Sequence, residues 1–238
     1  MANQTGQKDQ ALITGRIMYG YDGTNAYPIA VNTAGVLAGI ATTITKTVET
    51  ELFAAASVAA STQTTSSILT LTPSVKKATI FISHGRASSA AFGTNGTEYR
   101  VEVSEAATAT NQWRSIASVL ASSAVAMTAA ASANVAVGAT TVVILSGTAV
   151  TSGDVMVWPS GTIEWFKVAT PTGTASFTVE NPLDFAHAAA TATIIGGAEH
   201  FSLNLDVESV TRMRVFINNI ASGTTQAIYS KIACITES

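Results

Sequence analysis

The chain has 238 residues, of which 11% are charged, and a formal net charge of −3. Lys and Arg are scattered singly apart from Lys76–Lys77, which excludes the basic footprint of a nucleic-acid-binding protein. Thr, Ser and Gly interrupt every apolar run well before it reaches the ~20 residues of a membrane-spanning helix. The polar residues 1–10 contain no apolar signal core, so no secretory route is expected.

The low charge is most pronounced in two stretches, 52–75 and 115–153, which contain no charged side chain. An ordinary globular domain is about 25% charged, and a free domain needs such a surface to stay soluble and monomeric. Here Ala, Thr, Ser and Val take the place of the charges. We therefore expect a building block of an assembly, with much of its surface against neighbouring chains.

The start of the chain contains two predicted segments. Residues 1–10 form a polar arm that we expect to be ordered only when a partner holds it. Residues 13–40 form a predicted β-hairpin unit around the Asp22–Gly23 turn, which is too small to bury a core of its own. We assign 1–41 to attachment or oligomerisation, and 42–66 to a connector or a first strand.

Period-two alternation of apolar and polar residues predicts long strands in two separate parts of the chain. Tyr99, Val101 and Val103, for example, alternate with polar neighbours. Strands with turn signals between them are predicted at 67–72, 78–83, 98–104, 113–120, 201–207 and 213–217. Many short strands at this spacing are typical of all-β folds. We predict an all-β protein with a discontinuous β-sandwich made of 67–134 and 197–238.

Residues 111–133 also allow a second interpretation. Trp113, Ile116 and Leu120 have helical spacing within Ala-rich sequence. The Ser, Thr and Val residues among them disfavour a helix. A strand is therefore the preferred interpretation, with one helix as the alternative.

Residues 135–196 form a self-contained predicted unit between the two parts of the sandwich. Its short strand-like segments are 137–145, 152–157, 164–168, 175–179 and 182–187. Surface loops tolerate such insertions best. We predict a small β-barrel inserted into a loop of the sandwich.

The sequence contains none of the common motifs for catalysis or cofactor binding. Gly-x-Ser-x-Gly and Gly-x-x-x-x-Gly-Lys are both absent. His84, His187 and His200 lack metal-ligand spacing; we expect His84 in a turn, His187 at the end of a strand and His200 at the start of one. The single Cys234 excludes an intrachain disulfide and is expected as a small core-facing or edge residue. We predict no catalytic residue, no metal and no cofactor, and therefore not an enzyme.

The carboxylates of the predicted barrel have a functional alternative. Asp154, Glu164 and Asp184 are expected in turns and on the surface, because no loop clusters oxygen ligands as a dedicated Ca²⁺ site does. Convergence of the three on a Ca²⁺ ion is the alternative. No feature of the sequence favours a paired-carboxylate glycosidase.

The three tryptophans, Trp113, Trp158 and Trp165, are expected as core or interface anchors. Aromatic residues make up only 7% of the chain. This low content argues against a stacked platform for sugar binding.

Two parts of the sequence resemble virion structural proteins of tailed bacteriophages. The stretch Tyr19-Gly20-Tyr21-Asp22-Gly23-Thr24-Asn25, continued by Tyr27-Pro28-Ile29, resembles a hairpin near the start of phage head, neck and tail accessory proteins. Many of those proteins have Arg where this chain has Ala30. The predicted barrel is similar to small β-barrels inserted in phage proteins, which have a Gly-Asp turn, a Glu-Trp strand and a closing Phe-Ala-His. In this chain the corresponding segments are Gly153-Asp154, Glu164-Trp165 and Phe185-Ala186-His187.

The resemblance implies a non-enzymatic virion component that is assembled in the host cytoplasm. A capsid decoration or cement protein that binds and stabilises the major capsid protein lattice is the preferred interpretation. A neck or tail protein (adaptor or fibre) and a host-receptor-binding module are the alternatives. We expect a homo-oligomer, with a trimer favoured, and neither nucleic acid nor membrane as a partner.

Overall fold

The computed structural model describes residues 17–21, 26–30, 45–87, 96–108, 112–121, 128–147, 150–172, 175–189, 193–219 and 227–238. The chain divides into two units, Met1–Thr45 and Lys46–Ser238. In the first unit, β1 (Ile17–Tyr21) and β2 (Ala26–Ala30) pair as an antiparallel hairpin. The predicted arm 1–10 and the rest of the predicted 13–40 unit lie outside the described residues.

The second unit contains fifteen strands in its described ranges. In chain order they are β3 (Thr50–Val58), β4 (Thr62–Thr65), β5 (Leu69–Thr70), β6 (Lys77–Arg86), β7 (Thr97–Ser104), β8 (Arg114–Ala121), β9 (Thr128–Ala131), β10 (Thr141–Gly147), β11 (Val155–Trp158), β12 (Glu164–Thr172), β13 (Ser176–Val179), β14 (Thr193–Gly196), β15 (Glu199–Asp206), β16 (Arg212–Asn219) and β17 (Ile228–Glu237). The described part of the chain has no helix long and apolar enough to cross a membrane.

Two antiparallel sheets form the predicted sandwich. One sheet has the strand order β15-β6-β17-β3, and the other has β4-β16-β7-β8 with β5 beside β16. Both sheets combine strands from before and after the barrel: β6 pairs with β15 and β17, and β7 pairs with β16. The prediction of an all-β fold with a discontinuous sandwich is therefore confirmed.

The sandwich core follows the alternation seen in the sequence. Tyr99, Val101 and Val103 point inward from β7, and Met213, Val215 and Ile217 do so from β16. Cys234 joins this core from β17 as a free thiol, as expected for a small core-facing residue. Burial raises the pKa of the Cys234 thiol to about 12, which leaves it unreactive at neutral pH.

Strands already occupy much of the stretch 42–66, which was assigned to a connector or a first strand. β3 forms the edge of the four-stranded sheet beside β17, and β4 forms the edge of the other sheet beside β16. Only Leu52 and Val58 of β3 are fully buried, and its register with β17 shifts twice. Such an irregular edge strand lacks the clean alternation by which strands are recognised.

The inserted unit is a closed barrel with the strand order β10-β13-β12-β11-β14-β9. Its core contains Trp158, Phe166, Phe177 and Leu183. The barrel starts at β9, several residues before the predicted start at 135. The helix considered for 111–133 is replaced, in the described ranges, by strands β8 and β9.

The barrel packs against the outer face of the four-stranded sheet at Gly85. A Cβ atom at this position would lie 2.8 Å from Val157 Cγ1 and 3.2 Å from Trp165 Nε1, which leaves no room for a side chain. Ile195 and Tyr229 extend this apolar contact. Trp165 is therefore an anchor between the two parts of the fold, as expected from the sequence.

His84 lies inside the sandwich, so its expected place in a turn is wrong. In β6 it continues the inward row that begins with Ile80 and Ile82. Its Nδ1 atom is 2.9 Å from the hydroxyl of Tyr99, whose ring meets it edge-on. Burial, followed by the positive charge of Arg86, lowers the pKa of His84 to about 3. Burial also raises the pKa of Tyr99 above its usual range, so both groups are neutral at neutral pH.

The His84→Gln variant tests this burial. Between about pH 3 and pH 6.5 the unfolded chain binds a proton at His84 that the native chain excludes. The full contribution of His84 to the free energy of unfolding is therefore present above pH 6.5. Below pH 6.5 this contribution falls by up to about 1.4 kcal/mol for each pH unit. Because Gln does not titrate, urea unfolding at about pH 5 and pH 7 should show the two chains converging in stability as the pH falls. Equal pH dependence in the two chains would contradict the assignment.

Candidate functional site

The structure brings only some of the predicted barrel carboxylates together. Asp154 is half-buried and accepts hydrogen bonds from the backbone N–H and the hydroxyl of Thr151, at 2.6 and 2.7 Å, as a turn residue does. Glu164 instead lies beside the loop that carries Asp184, whose backbone N–H donates to Glu164 Oε1 at 2.7 Å. In the described ranges, no group of three His, Cys, Asp or Glu side chains is arranged to hold a metal ion.

Glu164 is buried rather than exposed, which corrects the expectation of a surface carboxylate. Its Oε2 atom lies 2.7 Å from His187 Nε2, and the side chains of both residues are almost fully excluded from solvent. The His187 ring also stacks on Trp158, with ring centroids 4.3 Å apart. We call Glu164, His187 and Trp158 the polar clasp of the barrel.

The hydrogen-bond geometry of the clasp fixes the orientation of the His187 ring. Its Nδ1 atom faces the carbonyl oxygen of Ser160 at 3.3 Å, while Nε2 faces the carboxylate of Glu164. A carboxylate only accepts, so Nε2–H donates to Glu164. This buried hydrogen bond ties the loop after β13 to β12. His187 does not close a regular strand: it forms an isolated bridge with Val135.

A second group of polar side chains covers the outer face of the five-stranded sheet. Glu102 accepts hydrogen bonds from Arg100 Nε at 3.1 Å and from Arg214 Nε at 2.9 Å. The Arg100 guanidinium lies over the Phe216 ring, 4.5 Å from its centre, and that of Arg214 lies 4.2 Å from the centre of Trp113. We call these five residues the Arg–aromatic face.

The composition of this sheet differs from that of the rest of the chain. Its strands carry four of the six arginines of the sequence but none of its six lysines and none of its aspartates. Arg, Trp and Phe are enriched in protein interfaces, whereas Lys and Asp are depleted. The Arg–aromatic face therefore has the composition of a contact surface.

An apolar sheet edge borders this face. Among the described residues, β8 pairs with β7 alone, so its outer edge carries unpaired backbone groups. Ile116 and Leu120 of β8 are 44% and 52% exposed. A long edge strand without Lys or Pro in its interior is suited to pairing with another chain.

The barrel exposes apolar side chains too, but without a free edge. Val143 and Leu145 of β10 are 47% and 66% exposed. Because β10 is hydrogen-bonded on both sides within a closed barrel, it offers side chains but no backbone pairing. We use this patch below as a matched control for β8.

Sequence reasoning missed both groups as units. Arg214 and Phe216 alternate in the sequence with Met213, Val215 and Ile217, which are buried in the structure, and so lie on the outer face of β16. The contacts of Arg214 and Phe216 with residues of β7 depend on how β16 pairs with β7. In that pairing Arg214 lies opposite Glu102, which is more than a hundred positions away in the sequence. In the clasp, the Glu-Trp and Phe-Ala-His segments were noted, but their contact depends on barrel closure.

Replacing His187 by Phe tests the polar clasp. Phe preserves the stacking on Trp158 but leaves the buried Glu164 carboxylate without its partner His187. Loss of one partner from a buried pair should lower the free energy of unfolding by about 3 kcal/mol. Adding Glu164→Gln to His187→Phe should recover part of this loss, because the unpaired charge is removed.

The exposed ion pair between Lys167 and Glu180, at 2.6 Å, supplies the control. Glu180→Gln should cost less than about 1 kcal/mol. Urea unfolding of the four chains measures these differences. Equal losses from His187→Phe and Glu180→Gln, or no recovery in the double variant, would show that the buried clasp stabilises the fold no more than an exposed pair does.

No protein-family model matches the chain, and no curated protein matches it significantly. Among solved structures, a chain of the infectious bursal disease virus VP2 subviral particle is 8% identical to this chain, with a TM-score of 0.22. A chain from the structure of the infectious bursal disease virus Gt strain is also 8% identical, with a TM-score of 0.18. These matches cover 91% and 92% of this chain, which spans 45% and 44% of those chains. At such TM-scores the likeness establishes neither a shared fold nor a family.

Proposed function

We propose that this protein is a non-enzymatic structural component of a tailed-phage virion, and more specifically a decoration or cement protein that binds the major capsid protein lattice. The edge strand β8 beside the Arg–aromatic face carries the proposal. It combines exposed apolar side chains, free backbone groups and an interface-like composition in one place. The scarcity of charge over 115–153 supports the same function, because this stretch contributes β8, β9 and β10.

The occupant of the β8 edge is, in this proposal, a second copy of the same chain. Glu98 and Glu102 together offset the charges of Arg100 and Arg214 within each copy, so two such faces meet without net repulsion. Ile116 and Leu120 are then buried against the equivalent edge of the second copy. Pairing of two equivalent edges is isologous and closes a twofold dimer, whereas the trimer favoured from the sequence requires β8 to meet a different surface of the next copy.

Charge placed on the edge tests the oligomer. The double variant Ile116→Lys, Leu120→Lys should weaken self-association at least about tenfold, because Lys on an edge strand opposes both pairing and apolar burial. Both side chains are exposed, so folding should be unchanged. Sedimentation velocity gives the mass distribution, and circular dichroism verifies the fold.

The control is Val143→Lys, Leu145→Lys on the barrel, which removes equally exposed apolar side chains without touching an edge. It should associate like the parent chain. A parent chain that sediments as a compact monomer, or a β8 variant that keeps the parent's mass, would overturn the proposed oligomer.

Attachment to the particle is assigned to residues 1–41, and outward display to the barrel. A two-stranded hairpin such as β1–β2 is at best marginally stable alone, so its order has to come from a partner surface. The barrel, in contrast, buries its own core of large side chains. It also joins its two ends, since β9 pairs with β14.

Deleting residues 1–40 should abolish incorporation into particles. Replacing 128–196 with a short Gly-Ser linker should preserve it, because the β9–β14 pairing shows that the gap is short. Protein gels of purified particles measure both outcomes. The opposite pair of results would make the barrel the attachment device. Copy number on the same gels separates decoration, at hundreds per particle, from a neck or tail position, at about a dozen or fewer.

A further inference from the structure

A cleft of about 460 Å³ lies where the barrel meets the four-stranded sheet. Its walls come from β12, from the loop after β13, and from β15 of the sandwich. Small-molecule sites have volumes of about 300–1,000 Å³ and are found preferentially at boundaries between structural units. The size and the position of the cleft both fit a ligand site.

The polar groups of the cleft fall into two sets. Lys167 and Glu180 neutralise each other in an ion pair, and His200 Nδ1 is 3.0 Å from the hydroxyl of Ser83. The Asp184 carboxylate and the Asn181 amide, in contrast, form no side-chain hydrogen bond to any residue that the structure describes. These two side chains, three positions apart in one loop, are available to a ligand.

The loop that carries them is held in place before any ligand binds. The backbone N–H groups of Asp184 and Phe185 donate to the two oxygens of Glu164, at 2.7 and 3.3 Å, and Glu164 is fixed by His187. A binding group on a wall fixed by buried hydrogen bonds loses little freedom when it engages a ligand. The polar clasp thus positions one side of the cleft.

The chemistry of the lining selects the class of ligand. Lys167 and Glu180 are paired, and the Glu164 carboxylate is held by hydrogen bonds from His187 and from the Asp184 and Phe185 backbone, so the carboxylate of Asp184 is the one left for a ligand. Burial lowers the pKa of His200, which favours the neutral imidazole. In the described ranges no metal-binding cluster exists. The cleft thus offers a carboxylate that accepts hydrogen bonds (Asp184), an amide that donates and accepts them (Asn181), and the side of an indole ring (Trp165). These groups fit a neutral, hydroxyl-rich molecule.

We propose that this cleft binds a neutral saccharide, whose hydroxyl groups bond to Asp184 and Asn181 and whose C–H face packs against Trp165. A single aromatic ring beside fixed polar groups suffices for one sugar ring. The low aromatic content of the chain argues against a stacked platform of several rings, which a cleft for one sugar ring does not need. Sugar binding here does not depend on the assembly function and can be measured on the purified chain.

Nitrogen-15 NMR of the full chain tests the proposal with four separate probes: glucose, galactose, mannose and N-acetylglucosamine. At least one of them should bind with a Kd in the range of about 1–10 mM and shift the Asn181 side-chain and Trp165 indole signals. Asp184→Ala and Asn181→Ala should each weaken this binding about tenfold or more, because a site built to bond hydroxyl groups then leaves them unpaired.

Glu208→Ala is the matched control. Glu208 is an exposed carboxylate whose ion pair with Lys76 lies outside the cleft, and its loss should leave sugar binding unchanged. The proposal is overturned if none of the four sugars shifts these signals at about 50 mM. It is also overturned if the shifts lie outside the cleft, or if Asp184→Ala binds like the parent chain.

Discussion

The pairing of β6 with β17 is the constraint on which the rest of the fold depends. Ten consecutive residue pairs, from Ile228↔Arg86 to Glu237↔Lys77, join strands from opposite ends of the second unit. This ladder fixes which side of β6 faces the sandwich core and which side faces the barrel. His84 is thereby buried beside Tyr99, and Gly85 is presented to Val157 and Trp165. The cleft borders this contact, since His200 lies opposite Ser83 in the neighbouring pairing of β15 with β6.

The parts of the fold that could be predicted from the sequence are those with one buried and one solvated face. β15 alternates along its whole length, and β7 and β16 alternate over 97–101 and 213–217, because each face of the strand has a constant environment there. The barrel could be recognised as a unit because its large core residues, such as Trp158 and Phe177, interrupt a polar, small-residue sequence. Even its closing segments were recognised as motifs, although their physical function was not.

What could not be predicted depends on long-range contacts. The Ala-rich strand β9 is buried in the barrel through small side chains that carry no periodic signal. His84 precedes Gly85 and Arg86, a combination that suggests a turn until the ladder with β17 is known. The clasp and the Arg–aromatic face each join residues from separate strands, so neither exists as a local pattern. Sites built from cross-strand neighbours are generally hidden from a single sequence for this reason.

The position of the barrel in the chain also determines the order in which the molecule can fold during synthesis. β6 pairs with β15 and β17, and both leave the ribosome after the whole barrel. At a typical rate of synthesis this separation lasts on the order of ten seconds, during which the barrel can close while β6 waits without a partner. Ile80 and Ile82 are then exposed to solvent on a strand with two free edges. Among the described strands, β3, β4 and β5 wait in the same way, since β3 pairs with β17 and the other two pair with β16, so four strands made before the barrel stay without partners until the strands after it are synthesised.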